Sequence, residues 1–321
     1  MIAEPLDQNA RRLHKLRNRA QSVLLLAAML SLLSACGWVL AGGDGVLLAL
    51  LAGGVSLLLS PRMSPDLALR LYGARPIQPA ELPVVFELLA RIAARAQLPR
   101  PPRLHYIPSR MLNAFAVGQR DDAAIALTDG LLRSLTLSEL AGVLAHEVSH
   151  IRNGDLWIMG LADTLARLTS AMSFLGLLLL LANLPMLLLG AAAVPWEFIL
   201  LLLFAPSAVG LLQLALSRTR EYDADLDAAG LTGDPRGLAS ALSKLERFQA
   251  GLLETLFLPG RHLPEPSLLR THPDTQARIA RLLSLEPRRD AITREAGRMS
   301  MPVYFIPRPH RPRWHATGLW H

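Results

Sequence analysis

Four long stretches of this chain carry no charged side chain: residues 20–43, 45–61, 168–196 and 198–217. An α-helix needs about 20 apolar residues to cross the hydrocarbon core of a bilayer. In lipid, only helices and closed barrels satisfy their own backbone groups. The second run is short, but Gly42 and Gly43 extend it. The runs therefore predict four transmembrane helices in two hairpins, one reversing at 41–45 and the other near Pro185, Pro195 and Glu197. A helical hairpin buried in a soluble core is the competing reading, but core helices rarely need 20 uncharged residues. Composition agrees with membrane insertion. Charged residues make up 18% of the chain against about 25% in soluble domains, and mean hydropathy is +0.31. Disorder over most of the chain and collagen-like folds are excluded. A single cysteine, Cys36, excludes an intramolecular disulfide and a cysteine-based zinc site.

The net charge of +7 and pI near 10.4 do not point to nucleic acid. No recognition-helix pattern and no basic–aromatic interleaving accompany the basic residues, which mostly flank the apolar runs. Arg11, Arg12, Lys15, Arg17 and Arg19 precede the first run, Arg62, Arg70 and Arg75 follow the second, and Arg218 and Arg220 follow the fourth. The two turns hold only Asp44 and Glu197. The positive-inside bias then puts both termini and both polar segments on the cytoplasmic side of a bacterial inner membrane. A second signal competes at the first run. Leu33-Ser-Ala-Cys36 resembles a lipoprotein cleavage site, but another apolar run follows within ten residues, as expected of an uncleaved hairpin. The expected organisation is a basic tail (1–19), a membrane hairpin (20–61), a first catalytic part (62–155), a second hairpin (156–217), a second catalytic part (218–286) and a Pro/Arg-rich, disordered tail (287–321). His310, His315 and His321 read as solvated residues of that tail.

Between the hairpins, 82–98 has helical periodicity and ends at Pro99, Pro101 and Pro102. Residues 104–107, 114–117 and 124–127 are candidate strands, the last two joined by a turn at 118–122. Thr136-Leu-Ser-Glu139 is a capping box that opens a helix, which should stop at Asn153 and Gly154.

On that helix lies His146-Glu147-Val148-Ser149-His150, the pattern H-E-x-x-H. Residues four apart share a helix face, so both imidazoles can reach one metal ion. Glu147, beside them, can act as base toward a water. Zinc needs a third protein ligand. Downstream candidates are Glu221, Asp223, Asp225, Asp227 and His272. Glu221 and Asp225 are again four apart, so one could bind metal while the other orients a ligand histidine. An acid-rich helix start is the plain alternative.

Four segments together make the resemblance specific: Asn113-Ala-Phe-Ala116, His146 to His150 followed by Ile-Arg-Asn-Gly-Asp155, Ser217-Arg-Thr-Arg-Glu-Tyr-Asp-Ala-Asp225, and Thr271-His-Pro273. The chain resembles the HtpX family of membrane-embedded zinc metalloproteases, relatives of the CAAX prenyl protease, over roughly 20–287. The resemblance implies a mainly α membrane protein, with four transmembrane helices carrying a gluzincin-type unit that contains a small β-sheet. It implies one Zn2+ held by His146, His150 and Glu221, with Asp225 supporting a ligand histidine. It places Asn113, Ala114, Phe115 and Ala116 on the strand that receives the substrate, and His272 and Arg278 at the reacting carbonyl. Asp274 departs from the family, which often has a second proline there, and the tail after Pro287 lies outside the common pattern. The expected function is zinc-dependent endopeptidase action on membrane or membrane-associated, misfolded proteins at the cytoplasmic face, a quality-control and stress-response activity. An exported lipoprotein-type metalloprotease and a non-proteolytic zinc-binding scaffold or chaperone are the alternatives; the base Glu147 argues against the second.

Overall fold

The computed structural model describes residues 8–59, 65–189, 195–256 and 275–284. His272, the segment 271–273 and the tail 287–321 lie outside the described residues. Among these residues the chain is mostly helical, with one small sheet. The helices are α1 (Gln8–Leu59), α2 (Pro65–Leu71), α3 (Pro83–Arg95), α4 (Asp129–Ser134), α5 (Leu137–Asn153), α6 (Asp155–Leu188), α7 (Trp196–Thr232), α8 (Pro235–Leu256) and α9 (Thr275–Ser284). The strands are β1 (Arg75–Pro76), β2 (Arg103–Ile107), β3 (Ala114–Gln119) and β4 (Asp122–Thr128).

Among the described residues three helices, not four, are long and apolar enough to cross a membrane. The difference lies in α1, whose helical hydrogen bonding is broken only by non-helical backbone at Ala41 and Gly42. A straight helix would separate Gly37 from Gly45 by about 12 Å. Instead, a β-carbon at either glycine would run into the carbonyl group of the other. The chain therefore doubles back at this kink, and Met29 and Leu33 of one arm share a buried cluster with Ala49 of the other. The second hairpin is α6 and α7. Pro185 lies inside α6, and Pro195 caps the start of α7. At about 1.5 Å per residue both helices outrun a bilayer core of about 30 Å. Their charged ends, 155–167 and 218–232, therefore project from it, and the expected boundary at 217/218 falls in mid-helix.

The polar segments build one core around the sheet, whose order is β1-β2-β4-β3. β2 pairs with β4 in parallel, and β3 pairs with β4 antiparallel. Alternate residues of β4 face opposite sides: Ala123, Ile125 and Leu127 join the main core, while Ala124 and Ala126 pack with Leu69 of α2. The two-residue turn Arg120-Asp121 joins β3 to β4, leaving β3 at an edge. Helix α3 matches its periodicity and buries Val85, Leu89 and Ile92. α5 opens with the expected capping box and ends at Gly154 in the left-handed conformation. Its Glu139 also accepts from Ser240 and Lys244 of α8, each at 2.7 Å. Burial opposes the charge of Glu139, but these partners outweigh it and hold its pKa below the ordinary value.

The reversal in α1 makes a direct prediction. Gly45→Val must push the two arms apart, because the obstacle is the backbone of Gly37. Gly54→Val meets open space. In detergent, the first substitution should lower the thermal unfolding midpoint by several degrees, roughly 1–3 kcal/mol of overpacking, and the second should leave it unchanged.

Candidate metal centre

The buried α5 presents His146 and His150 one turn apart, with ring planes at 87° and the two Nε2 atoms 3.1 Å apart. α7, rising out of the membrane bundle, brings Glu221 opposite them. Its Oε2 lies 3.4 Å from His146 Nε2, and its Oε1 lies 3.7 Å from His150 Nε2. Among the described residues this is the group of side chains arranged to hold a metal ion. The donor set tests well against zinc. Ligands at 2.0–2.1 Å in a tetrahedron lie roughly 3.3–3.4 Å from one another, close to the three separations here. Two imidazoles and a carboxylate are also a known zinc set with an open fourth position.

The far side of each ring is equally defined. Asp155 Oδ2 lies 2.7 Å from His150 Nδ1, and Asp225 Oδ1 lies 3.1 Å from His146 Nδ1. An ionised carboxylate only accepts, so each Nδ1 carries the proton and each Nε2 offers a lone pair to a metal. Both acids are themselves held. Arg278 of α9 forks onto Asp225 with Nε at 2.7 Å and Nη2 at 2.6 Å, and its Nη1 reaches Glu221 at 3.0 Å. Arg220 donates from Nε to Asp155 at 2.6 Å. Burial opposes the charge of Arg278, but Asp225, Glu221 and Glu147 outweigh it and raise its pKa.

The structure thus sorts the acids of α7, which spacing alone left open. Glu221 and Asp225 share the face turned to α5. Asp223 instead meets Arg220 and Asn18. Asp227 meets Arg152 and Asn153. Glu147 is 4% exposed on the same helix as the two histidines. Arg278 has a different setting from the one expected at a reacting carbonyl. It is 2% exposed, and these contacts commit its guanidinium to two carboxylates. Asn113 pairs through its backbone with Thr128 (N–H to Oγ1 at 3.0 Å, C=O from N–H at 3.1 Å), and Ala114, Phe115 and Ala116 are buried residues of β3, which packs on α5. Sequence reasoning gave Asp155 and Arg220 no role at the metal centre, although both lie in segments that carry the family resemblance. Asp155 carries a usable signal, an acid just past the glycine cap one turn after His150. The pairing of Arg220 with Asp155 carries no local signal, because the two are 65 residues apart.

Residues 79–286 match the family described as Peptidase family M48. The chain belongs to peptidase family M48. It is similar to proteins named "Protease HtpX homolog". It is 34% identical to that of Methylibium petroleiphilum, over 85% of this chain and 99% of the relative. It is 36% identical to that of Nostoc punctiforme (84% and 96%) and 39% identical to that of Acaryochloris marina (84% and 95%). Among solved structures, the "Crystal Structure of S. mikatae Ste24p" superposes with a TM-score of 0.50 at 20% identity, over 84% of this chain and 66% of that one, a likeness of fold. This M48 chain is thus a multi-pass membrane protein of a metallopeptidase family, in which His146, His150 and Glu221 form a possible metal-binding triad.

Burial disfavours a charge on His146, but Asp225 and Glu221 outweigh it and lift its pKa to about 10. A proton and a metal therefore compete for this pocket. Zinc uptake should strengthen about tenfold per unit between pH 6 and 8, as titration against a zinc chelator would show. For the metal-free protein the sign reverses. A raised pKa stabilises below the unfolded value near 6.5 and is lost as pH rises towards 10, so its melting midpoint should fall across that interval.

Proposed function

We propose that this chain is a zinc-dependent endopeptidase that cleaves membrane or membrane-associated proteins, misfolded ones in particular, at the cytoplasmic face of a bacterial inner membrane. One observation carries the reading: two histidines and Glu221 converge in a buried pocket, with a further acid, Glu147, next to His146 on the same helix. A pure binding site has no use for such a base.

A zinc ion held by His146, His150 and Glu221 would supply Lewis acidity toward the scissile carbonyl and toward a water. Glu147 takes a proton from the attacking water and passes it to the leaving amine. Asp155 and Asp225 hold the two imidazoles in the tautomer that ligates. Arg278 positions Asp225 and Glu221 and balances their charge. We assign His272 to the reacting carbonyl, three residues before α9. The substrate class rests on placement. Glu221 lies four residues, about 6 Å of helix rise, beyond the end of the uncharged run at Ser217. The site therefore sits where chains emerging from a bilayer can reach it. The basic flanks of the apolar runs support the cytoplasmic orientation.

The edge strand β3 is the proposed cradle for the peptide. Asn113 and Thr128 form a hydrogen-bonded pair. By alternation Ala114 and Ala116 fall in non-hydrogen-bonded pairs with Leu127 and Ile125, so their N–H and C=O groups point to the free edge. An extended substrate can add there as a further strand.

Three variants separate the roles at the metal. Glu147→Gln should keep one zinc per chain and lose proteolysis. Glu221→Ala should lose both. Arg278→Ala should weaken zinc affinity about 10–100-fold, as expected of a residue supporting ligands; full zinc retention with a lower kcat would return it to the carbonyl. Metal analysis and cleavage of a membrane-protein panel in detergent read all three. Ala116→Pro should raise KM several-fold at near-constant kcat, because it removes an outward N–H and leaves the metal ligands untouched.

A further inference from the structure

A cavity of about 440 Å3 opens between the start of α1, the middle of α7 and α9, lined by Asn18, Gln21, Arg218, Thr219, Tyr222 and Arg281, with Ala215 at its base. It is separate from the metal centre. On α7, Ala215, Arg218, Thr219 and Tyr222 fall on one face, about 90° around the helix from Glu221 and Asp225. None of the metal-binding side chains lines it.

Among the described residues its cations have no acidic partner. Arg218 has no hydrogen-bond or ion-pair partner among the described residues. Arg281 lies over the Tyr222 ring, 4.9 Å from its centroid, and no described carboxylate meets it. Every other arginine or acid around the metal centre is paired, so two free guanidiniums facing one cavity stand out. Buried Asn18 and Thr219 and the Tyr222 hydroxyl add hydrogen-bonding groups to the walls, and no lining residue is acidic. Guanidinium forks and hydroxyls are the groups that take up phosphate oxygens.

Position identifies the source. Asn18 and Gln21 flank the start of the first uncharged run, and Arg218 and Thr219 follow the end of the last one at Ser217. The cavity therefore sits at headgroup depth, with exposed Gln21 and Arg218 at its rim. Tyrosine and arginine are the side chains suited to that layer. We propose that this cavity binds the phosphate of an anionic phospholipid, its acyl chains lying along α1 and α7. Two positive charges favour a headgroup with net negative charge over a zwitterionic one.

The test uses the full chain in nanodiscs of equal phosphatidylglycerol and phosphatidylcholine, released into detergent for native mass spectrometry. Wild type should retain phosphatidylglycerol preferentially, about one per chain. Arg218→Ala with Arg281→Ala should lower that retention roughly thirtyfold, at about fivefold per basic residue near an anionic surface. Replacing both by Lys should restore most of it. An unchanged melting midpoint in phosphatidylcholine nanodiscs shows that the variants are folded. The reading is independent of proteolysis, so it stands or falls apart from the proposed function. Equal retention of the two lipids by wild type, or undiminished retention by the double Ala variant, would overturn it. A second arm adds inorganic phosphate to protein in phosphatidylcholine nanodiscs. A rise in melting midpoint that the double variant loses, with no lipid retained, would assign the site to soluble phosphate and overturn the lipid.

Discussion

Two imidazoles and the carboxylates of Glu147, Glu221 and Asp225 share one dry corner of this protein, and the fold is arranged to make that tolerable. Isolated buried charges cost several kcal/mol each, so each acid needs a cation within reach. Arg278 comes from α9 to fork onto Asp225, and Arg220 comes from α7 to hold Asp155. A divalent metal held by His146, His150 and Glu221 would complete the balance with two further positive charges. Moving α5, α7 or α9 by one turn would strand at least one carboxylate, so the charge balance fixes how these helices meet.

The same constraint ties the metal centre to the membrane. α7 is continuous from its apolar span to Asp225 and beyond, so the bundle sets where Glu221 stands. A chain of polar contacts reinforces this. Asn18, at the base of α1, donates to Asp223, Asp223 meets Arg220, Arg220 holds Asp155, and Asp155 holds His150. The first membrane hairpin thus bears on His150, more than a hundred residues away in sequence. An anionic headgroup at the neighbouring cavity would lie against the outer end of that chain.

Local patterns that the backbone obeys irrespective of partners were legible in the sequence. The uncharged runs, the capping box at Thr136, the glycine stop at Gly154, three of the four strands of the small sheet (all but the two-residue β1) and the H-E-x-x-H pair each reflect interactions within about ten residues. Hydrophobic periodicity, helix ends and metal-ligand spacing act at that range. The family resemblance implied Glu221 as the third ligand, which spacing had left among five candidates, and the fold sets it beside the two histidines.

Tertiary structure decided what depends on the rotation and approach of distant segments. The uncharged runs placed the reversal of α1 at 41–45, but the close approach of Gly37 and Gly45 that lets the two arms touch is something charge counting cannot show. Only helix rotation separates Glu221 and Asp225 from Asp223 and Asp227, four acids alike in sequence. The family resemblance placed Arg278 at a reacting carbonyl, and in the fold its guanidinium pairs with Asp225 and Glu221. Arg220 gains its role through a contact with Asp155, 65 residues away, that no local pattern encodes. The sequence determined the elements and the ligand chemistry because those are short-range. The pairing of charges in a low-dielectric interior is long-range, and only the packed helices could settle it.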